Sequence, residues 1–290
     1  MILVNESAHQ RDIYGVVNPA RMSAIADDWF DDSRNYDGRV ALFQDRLTNV
    51  QPRILDMAAG CGTFVLHGLR NGLDVWGVEP EPWKADYFRR KVEVAGYDPG
   101  YLERFVPGVG ENLPFPDSSF DLVTSWFTID FVQDVAVCLR EMRRVLRPGG
   151  TIHMATADHD SWYDGMYRIP MVPRLPKSLG RLYLRAIGRN PKGLDYLQWL
   201  TKARLLDHVR KEFACDSQVH DLEVEHQESV RRRLSAKLPF LKPDGKIVQV
   251  LARLSRIRSA LRCISRRQLD SKNINLWITG VNSRESSRGH

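Results

Sequence analysis

Apolar residues fall into short runs that alternate with helical stripes from about residue 53 to residue 157. Ile54 and Leu55 end at Asp56, the small residues Ala58, Ala59, Gly60, Cys61 and Gly62 follow, and Phe64, Val65, Leu66 and Leu69 then recur at helical spacing until Asn71 and Gly72. This spacing predicts a strand, a tight turn, a helix and its C-cap. A second apolar run over 73–78 stops at Glu79 and Pro80, so a β-α-β unit carries a carboxylate at the tip of its second strand. Residues 81–95 read as a helix closed by Gly96, and 103–107, 121–126 and 151–155 as further strands. Between the last two, Asp134 stands as N-cap to a stripe of Val135, Val137, Leu139, Met142, Val145 and Leu146, which Arg147, Pro148, Gly149 and Gly150 stop and turn. Thr201 caps a helix to about residue 213, 217–224 alternates like a strand, and 275–280 reads as a closing strand.

Three regions lie outside this alternation. Residues 1–20 read as a loose arm, and 20–50 as helical, with Met22, Ile25, Ala26, Trp29 and Phe30 in one stripe and Val40, Leu42, Phe43 and Leu47 in another. Residues 165–194 contain prolines, glycines and seven Lys or Arg with no acid, and are expected to form an inserted cap. From 231 to 267 there are twelve Lys or Arg against the single acid Asp244, a local +11 in a chain whose net charge is +6, so the remainder carries −5. Ile247, Val250, Leu251, Leu254, Ile257, Leu261 and Ile264 recur there at helical spacing, which predicts a basic amphipathic helix. Such a helix fits either the protein's own core or an anionic membrane surface.

A length of 290 residues and 43% hydrophobic content suffice for a large core. No run reaches the roughly 18 apolar residues of a membrane span, and the start lacks the basic and apolar regions of a signal peptide. Cys61, Cys138, Cys215 and Cys263 are far apart, which argues against a zinc site or a disulfide framework. The expected compartment is a reducing cytoplasm, with peripheral contact at the inner face of the membrane through 231–267, and no metal is expected.

The turn after the first strand carries the chemistry. Gly60 and Gly62 let backbone approach a ligand, and the amides opening the following helix face an anionic group. Glu79 can accept hydrogen bonds from the two hydroxyls of a ribose. A dinucleotide fingerprint is excluded, because Val65 stands where its third glycine is needed. Asp56 would repel a phosphate but can orient an amino group, so a ligand with a ribose, a carboxylate and an ammonium fits best.

At these residues the chain resembles the class I S-adenosylmethionine-dependent methyltransferases of the type-11 group. Residues 56–62 follow that family's Asp-x-Gly-Cys-Gly-x-Gly loop with Ala58 and Ala59 for its first Gly and its Cys, substitutions expected to sit outside the left-handed region. Residues 108–123 match its second motif closely, although Val109 replaces an Asp, and 139–150 match the signature after the fourth strand. The resemblance implies an α/β, Rossmann-like fold: a seven-stranded, mostly parallel sheet with helices on both faces, plus the cap and the basic insertion before the last strand. The implied organisation is an arm and lid over 1–50, a core over 51–164, the cap over 165–200, core again over 201–230, the basic insertion over 231–270 and a last strand with tail over 271–290. The implied cofactor is S-adenosyl-L-methionine. Asp56, Ala58 and Gly60 lie by its amino group, Gly62 at the helix opening, and Glu79 with Pro80 at the ribose. Gly110 and Glu111 flank the adenine, and Ser125 and Trp126 border the sulfonium.

An activated sulfonium needs mainly alignment and exclusion of water, and a base helps where the acceptor must lose a proton. The candidates are His159, Asp130 and Asp158, with Asp160 beside them; His159 leads because its ordinary pKa is near 6.5 and Asp158 can orient its ring. Phe131 stands where many relatives have a His. Trp29, Trp162 and Tyr163 are the candidate acceptor contacts, with Phe30 and Tyr36 on the lid. The expected acceptor is a hydroxyl of a sugar-containing or lipid-linked metabolite; the alternative is C- or O-methylation of a quinone, polyketide or other aromatic metabolite. A third reading is a non-catalytic subunit that binds a partner or membrane through 231–267. Nucleic acid is disfavoured, because the base-methylating N/D-P-P-Y/F signature is absent after the fourth strand.

Overall fold

The computed structural model describes residues 36–47, 49, 51–165, 167, 169–213, 217–226, 228–229 and 273–281. The basic insertion, the arm with Trp29 and Phe30, and the tail after 281 lie outside the described residues. A helix, α1 (Asp37–Arg46), precedes β1 (Arg53–Met57), α2 (Thr63–Arg70), β2 (Asp74–Glu79), α3 (Pro82–Val94), β3 (Phe105–Pro107), β4 (Phe120–Trp126), α4 (Val135–Val145) and β5 (Leu146–Ala157). After a two-residue ribbon, β6 (Tyr163–Asp164) with β7 (Ile169–Pro170), come α5 (Lys177–Ala186), α6 (Lys202–Phe213), β8 (Gln218–Asp221) and β9 (Asn273–Val281). The main sheet has seven strands in the order β3-β2-β1-β4-β5-β9-β8. β1 to β5 are parallel and β9 runs antiparallel between β5 and β8.

Alternate residues of each central strand face opposite helical layers, which is why the strands read as nearly continuous apolar runs. Leu55, Val123, Ile152 and Leu276 pack with Leu139 and Met142 of α4 and Leu205 and Val209 of α6. Ile54, Leu122 and Trp277 face Phe43 of α1, Phe64 and Val65 of α2 and Phe88 and Val92 of α3. A third, separate cluster belongs to the cap: Tyr167, Ile169, Met171, Leu184, Leu194 and Leu197, flanked by Phe131, Leu175, Tyr183 and Trp199.

Several boundaries differ from the sequence expectation. The third strand begins only at Phe105, because Asp98 accepts the Gly100 amide at 2.9 Å and winds Pro99–Arg104 into a 3-10 turn. Residues 147–150 do not end the helix in a free turn: they already lie in β5, where Phe120 pairs with Leu146 and the register then breaks before Leu122 meets Thr151. The strand expected over 217–224 stops at Asp221, whose carboxylate accepts the Glu223 and Val224 amides at 3.2 Å and starts a helical turn. Asp134 caps α4 as expected, accepting from Ala136 at 2.8 Å and Val137 at 3.1 Å.

Candidate active site

β1, β2, β4 and β5 deliver their carboxyl ends to one edge of the sheet, where open α/β sheets place ligands. Asp56 lies opposite Thr124 in the register, and the Thr124 hydroxyl donates to its Oδ1 at 2.7 Å. Burial pushes the Asp56 carboxyl above its ordinary range, while the Arg39 guanidinium and the Thr124 hydrogen bond pull it down. The turn that follows folds back tightly: Ala59 donates to Val78 O at 3.0 Å and Gly62 to Ala59 O at 2.9 Å. Ala58 (φ 57°), Gly60 (φ 59°) and Gly62 (φ 71°) are all left-handed, so the expectation that Ala58 avoids this region is corrected. The side chain there costs on the order of 1 kcal/mol, and Ala58→Gly is expected to raise unfolding stability by about that amount, read from urea denaturation.

Glu79 is buried at the tip of β2. Its Oε2 accepts the Gly60 amide at 2.9 Å, and its Oε1 accepts Lys84 Nζ at 2.8 Å and the Glu81 amide at 3.3 Å. A carboxylate has about four lone-pair sites, so a cis-diol offering two donors must displace one of these partners; Lys84, on a long side chain, is the one able to swing away. Pro80 follows, exposed at the rim. On the neighbouring loop a short bridge joins Val109 and Asn112 around Gly110, where a Cβ would come within 2.9 Å of Cys138 Sγ. Glu111 accepts the Gln133 amide at 2.6 Å and the Asp134 amide at 3.4 Å, tying this loop to the start of α4.

At the tip of β4 the Arg39 guanidinium carbon sits 3.2 Å from the centroid of the Trp126 ring, a close cation–π contact made by α1. The edge of Trp126 meets His153 at 4.8 Å between centroids. His153 is completely buried; burial lowers its pKa to about 4, against the opposing hydrogen bond to Asn275 at 2.9 Å. Ser125 Oγ and Trp126 Nε1 are buried with no hydrogen-bond partner among the described residues. Orphaned polar atoms of this kind mark a place that awaits a ligand or water. Phe127, just beyond, is exposed and left-handed (φ 54°), held by its amide on Ala155 O at 2.6 Å.

A second polar group lies under the cap. Asp130 is only 4% exposed, and its Oδ1 has no partner among the described residues. Burial raises its carboxyl to about 6; the Thr156 hydroxyl and the backbone oppose the rise, and Asp164 adds to it. His159 stacks on Trp199 (5.8 Å, 20°), and burial lowers its pKa. Asp164 and then Asp158 oppose the fall, and Asp158 Oδ1 also accepts the Asp160 and Lys202 amides and holds the start of α6. Asp160 pairs through both oxygens with Arg174 at 3.0 Å. One stretch of the cap clamps both loops through the backbone: the Gln198 amide donates to Asp130 O at 2.7 Å, and the His159 amide donates to Leu200 O at 3.0 Å. Tyr163 is half-buried in the ribbon, Trp162 projects outward, and Tyr36 packs on Phe64 and His67.

Residues 55–154 match the family described as a methyltransferase domain. This segment belongs to that family. It is of the S-adenosylmethionine-dependent class that the three motifs imply, so the resemblance read from residues 56–62, 108–123 and 139–150 is borne out. A demethylmenaquinone methyltransferase of Beutenbergia cavernae is 32% identical over 149 residues, 50% of this chain and 56% of that protein. One from Streptomyces avermitilis is 30% identical over 164 residues, 55% of this chain and 66% of that protein. The chain thus spans a little over half to about two thirds of the length of these relatives. Among solved structures, phosphoethanolamine N-methyltransferase 2 of Haemonchus contortus in complex with S-adenosyl-L-methionine has a TM-score of 0.50 at 20% identity, covering 85% of this chain and 52% of that one. It shows a shared fold, and the seven-stranded Rossmann-like expectation holds.

Within the methyltransferase domain, the residues that sequence reasoning missed are Thr124 on Asp56, Lys84 on Glu79 and His153 beneath Trp126; Arg39 reaches in from α1 before it. Thr124 was signalled, because a polar residue in an otherwise apolar central strand needs a partner. Arg39 and Lys84 were not, since a cation in a helical stripe is most often solvated.

Proposed function

We propose that the chain transfers a methyl group from S-adenosylmethionine to an aromatic acceptor of the quinol class. The names of the curated relatives carry the acceptor class, and they favour the quinone alternative over the sugar or lipid-linked hydroxyl expected first. The fit of the cofactor rests on the left-handed turn at Gly60 and Gly62, the buried carboxylates of Asp56 and Glu79, and the orphaned Ser125 and Trp126. S-adenosylmethionine supplies an electrophilic methyl on a positive sulfur. Asp56 orients the amino group and Arg39, the cation beside it, takes the carboxylate. Glu79 would receive the ribose hydroxyls beside Pro80 as Lys84 yields, Gly110 and Glu111 would border the adenine, and Trp126 would wall the sulfur.

On the acceptor side, a ring carbon becomes a better nucleophile when a neighbouring hydroxyl loses its proton. Asp130 suits the role of base, because with a pKa of about 6 it is ionised at neutral pH yet more basic than an ordinary aspartate. It therefore replaces His159 as first choice, with His159 and Asp158 lining the same side; Trp162 and Tyr163 offer ring contacts at the entrance. The cofactor would supply the methyl to the ring carbon, while Asp130 would take the hydroxyl proton and return it to the oxygen once the ring proton has left to solvent and aromaticity is restored.

Calorimetric titration with S-adenosylmethionine tests the first half of this reading. Saturable binding is expected, weakened in Glu79→Ala by about 1–3 kcal/mol for hydrogen bonds to a charged group; no binding by wild type would remove the reading. A radiolabelled-methyl assay with a demethylated quinol and with a lipid-linked sugar tests the second, and label entering only the sugar would overturn the acceptor class.

A further inference from the structure

We infer that the outer face of the cap is a docking surface for an anionic lipid bilayer. Helix α5 packs by one side only: Gly180 and Leu184 are buried, and a Cβ at residue 180 would come within 2.9 Å of the Trp199 ring, so the helix lies close against that indole. The opposite side turns Leu179 (51% exposed) and Leu182 (63%) to solvent. Val172 and Ile187 lie on the same cap and Trp162, 74% exposed, borders it, so five of the ten large hydrophobics exposed among the described residues fall between 162 and 187. That concentration is not the scatter of single apolar residues found on ordinary surfaces.

The cap holds these groups together. The Tyr183 hydroxyl donates to Pro170 O at 3.0 Å, which ties α5 to the ribbon, and the Met171 amide donates to Trp162 O at 3.0 Å, which ties the ribbon to the exposed indole. Charge then selects the partner. Residues 165–200 contain seven Lys or Arg and one acid, Asp195, which Arg181 neutralises. Arg185, on the outward side of α5, and Arg189, just past its end, make no ion pair among the described residues. Leucines flanked by such arginines, with a tryptophan at the margin, are the composition that enters an interface: apolar groups among the acyl chains, cations at the phosphates, the indole between.

The placement deepens the proposed function, and in that part rests on it. The inner side of α5 touches Trp199, which stacks on His159, so the docking face and the acceptor side are two sides of one helix. A bilayer-dissolved quinol would reach the site beneath the cap without crossing water.

Flotation of the full chain with vesicles tests the docking without reference to methyl transfer. Wild type is expected to bind phosphatidylcholine vesicles doped with phosphatidylglycerol at least about tenfold more tightly than pure phosphatidylcholine, and the triple variant Leu179→Ser, Leu182→Ser, Arg185→Ser to lose about tenfold or more of that binding. Unchanged melting and unchanged S-adenosylmethionine titration confirm that the variant is folded. Equal binding by the variant overturns the proposal and assigns any contact to 231–267; absence of wild-type binding to either vesicle overturns it too, as does a dimer that the variant dissociates with no vesicle bound. Loss of S-adenosylmethionine binding in wild type with the vesicle difference intact sinks the proposed function and leaves the docking surface standing.

Discussion

Asp130→Asn is expected to slow methyl transfer by about 10²–10⁴-fold, the usual worth of a positioned base, and to make the protein more stable at neutral pH. The two effects share one cause. Burial holds the carboxyl at about 6 in the folded chain, against an ordinary value of 3.8. The folded state therefore binds more protons than the unfolded state between those values, and stability contributed by this group is full below about pH 4 and lost as pH rises to about 6. At about 1.4 kcal/mol per pKa unit the ionised carboxylate costs about 3 kcal/mol at neutral pH. An amide of the same shape never ionises, so the variant should gain about 1–3 kcal/mol in urea denaturation at neutral pH and little below pH 4. The wild-type rate should rise through an apparent pKa near 6, a limb the variant lacks. A variant as active as wild type returns the role of base to His159. A slow variant with no gain in stability means that Asp130 is held by partners the folded chain needs, and is not a strained base.

Gly62→Ala is expected to destabilise the fold by about 2–4 kcal/mol and to abolish S-adenosylmethionine binding. A Cβ there would lie 2.1 Å and 2.7 Å from two ring carbons of Phe88 and 3.2 Å from Phe105, in a backbone with φ of +71°. Phe88 cannot retreat, because it stacks on Phe105 at 4.5 Å and both rings are buried in the layer against β2 and β3. The start of α2 would have to move, and with it the turn that faces the cofactor. Gly60→Ala is the internal control: its φ is +59° but nothing lies within 4 Å of the added carbon. It should cost only the left-handed strain of about 1–2 kcal/mol. Thermal melts with and without S-adenosylmethionine separate the two, and equal losses in both variants would show that strain, not the Phe88 clash, makes Gly62 necessary.

The strands, the turn and the helix caps were legible in the sequence, because each is set by groups within a few residues of one another. The runs ending at Asp56 and Glu79, the small residues between, Asp134 before α4 and Thr201 before α6 all act through local sterics and local hydrogen bonds, and such constraints leave residue types at readable spacings. Whatever depends on which distant groups meet had no such local trace. Only folding lays Arg39 on Trp126, sets Lys84 on Glu79 and makes Asp164 the stronger neighbour of His159. The conformation of Ala58 also belongs here: an alanine is expected to avoid a left-handed turn, and it accepts the strain because β1, β2 and the Gly60–Glu79 hydrogen bond hold both ends of the loop. The same holds for α5, whose apolar residues cover a wider side than its packing uses. Packing against Trp199 takes one side, and the leucines left over become a surface.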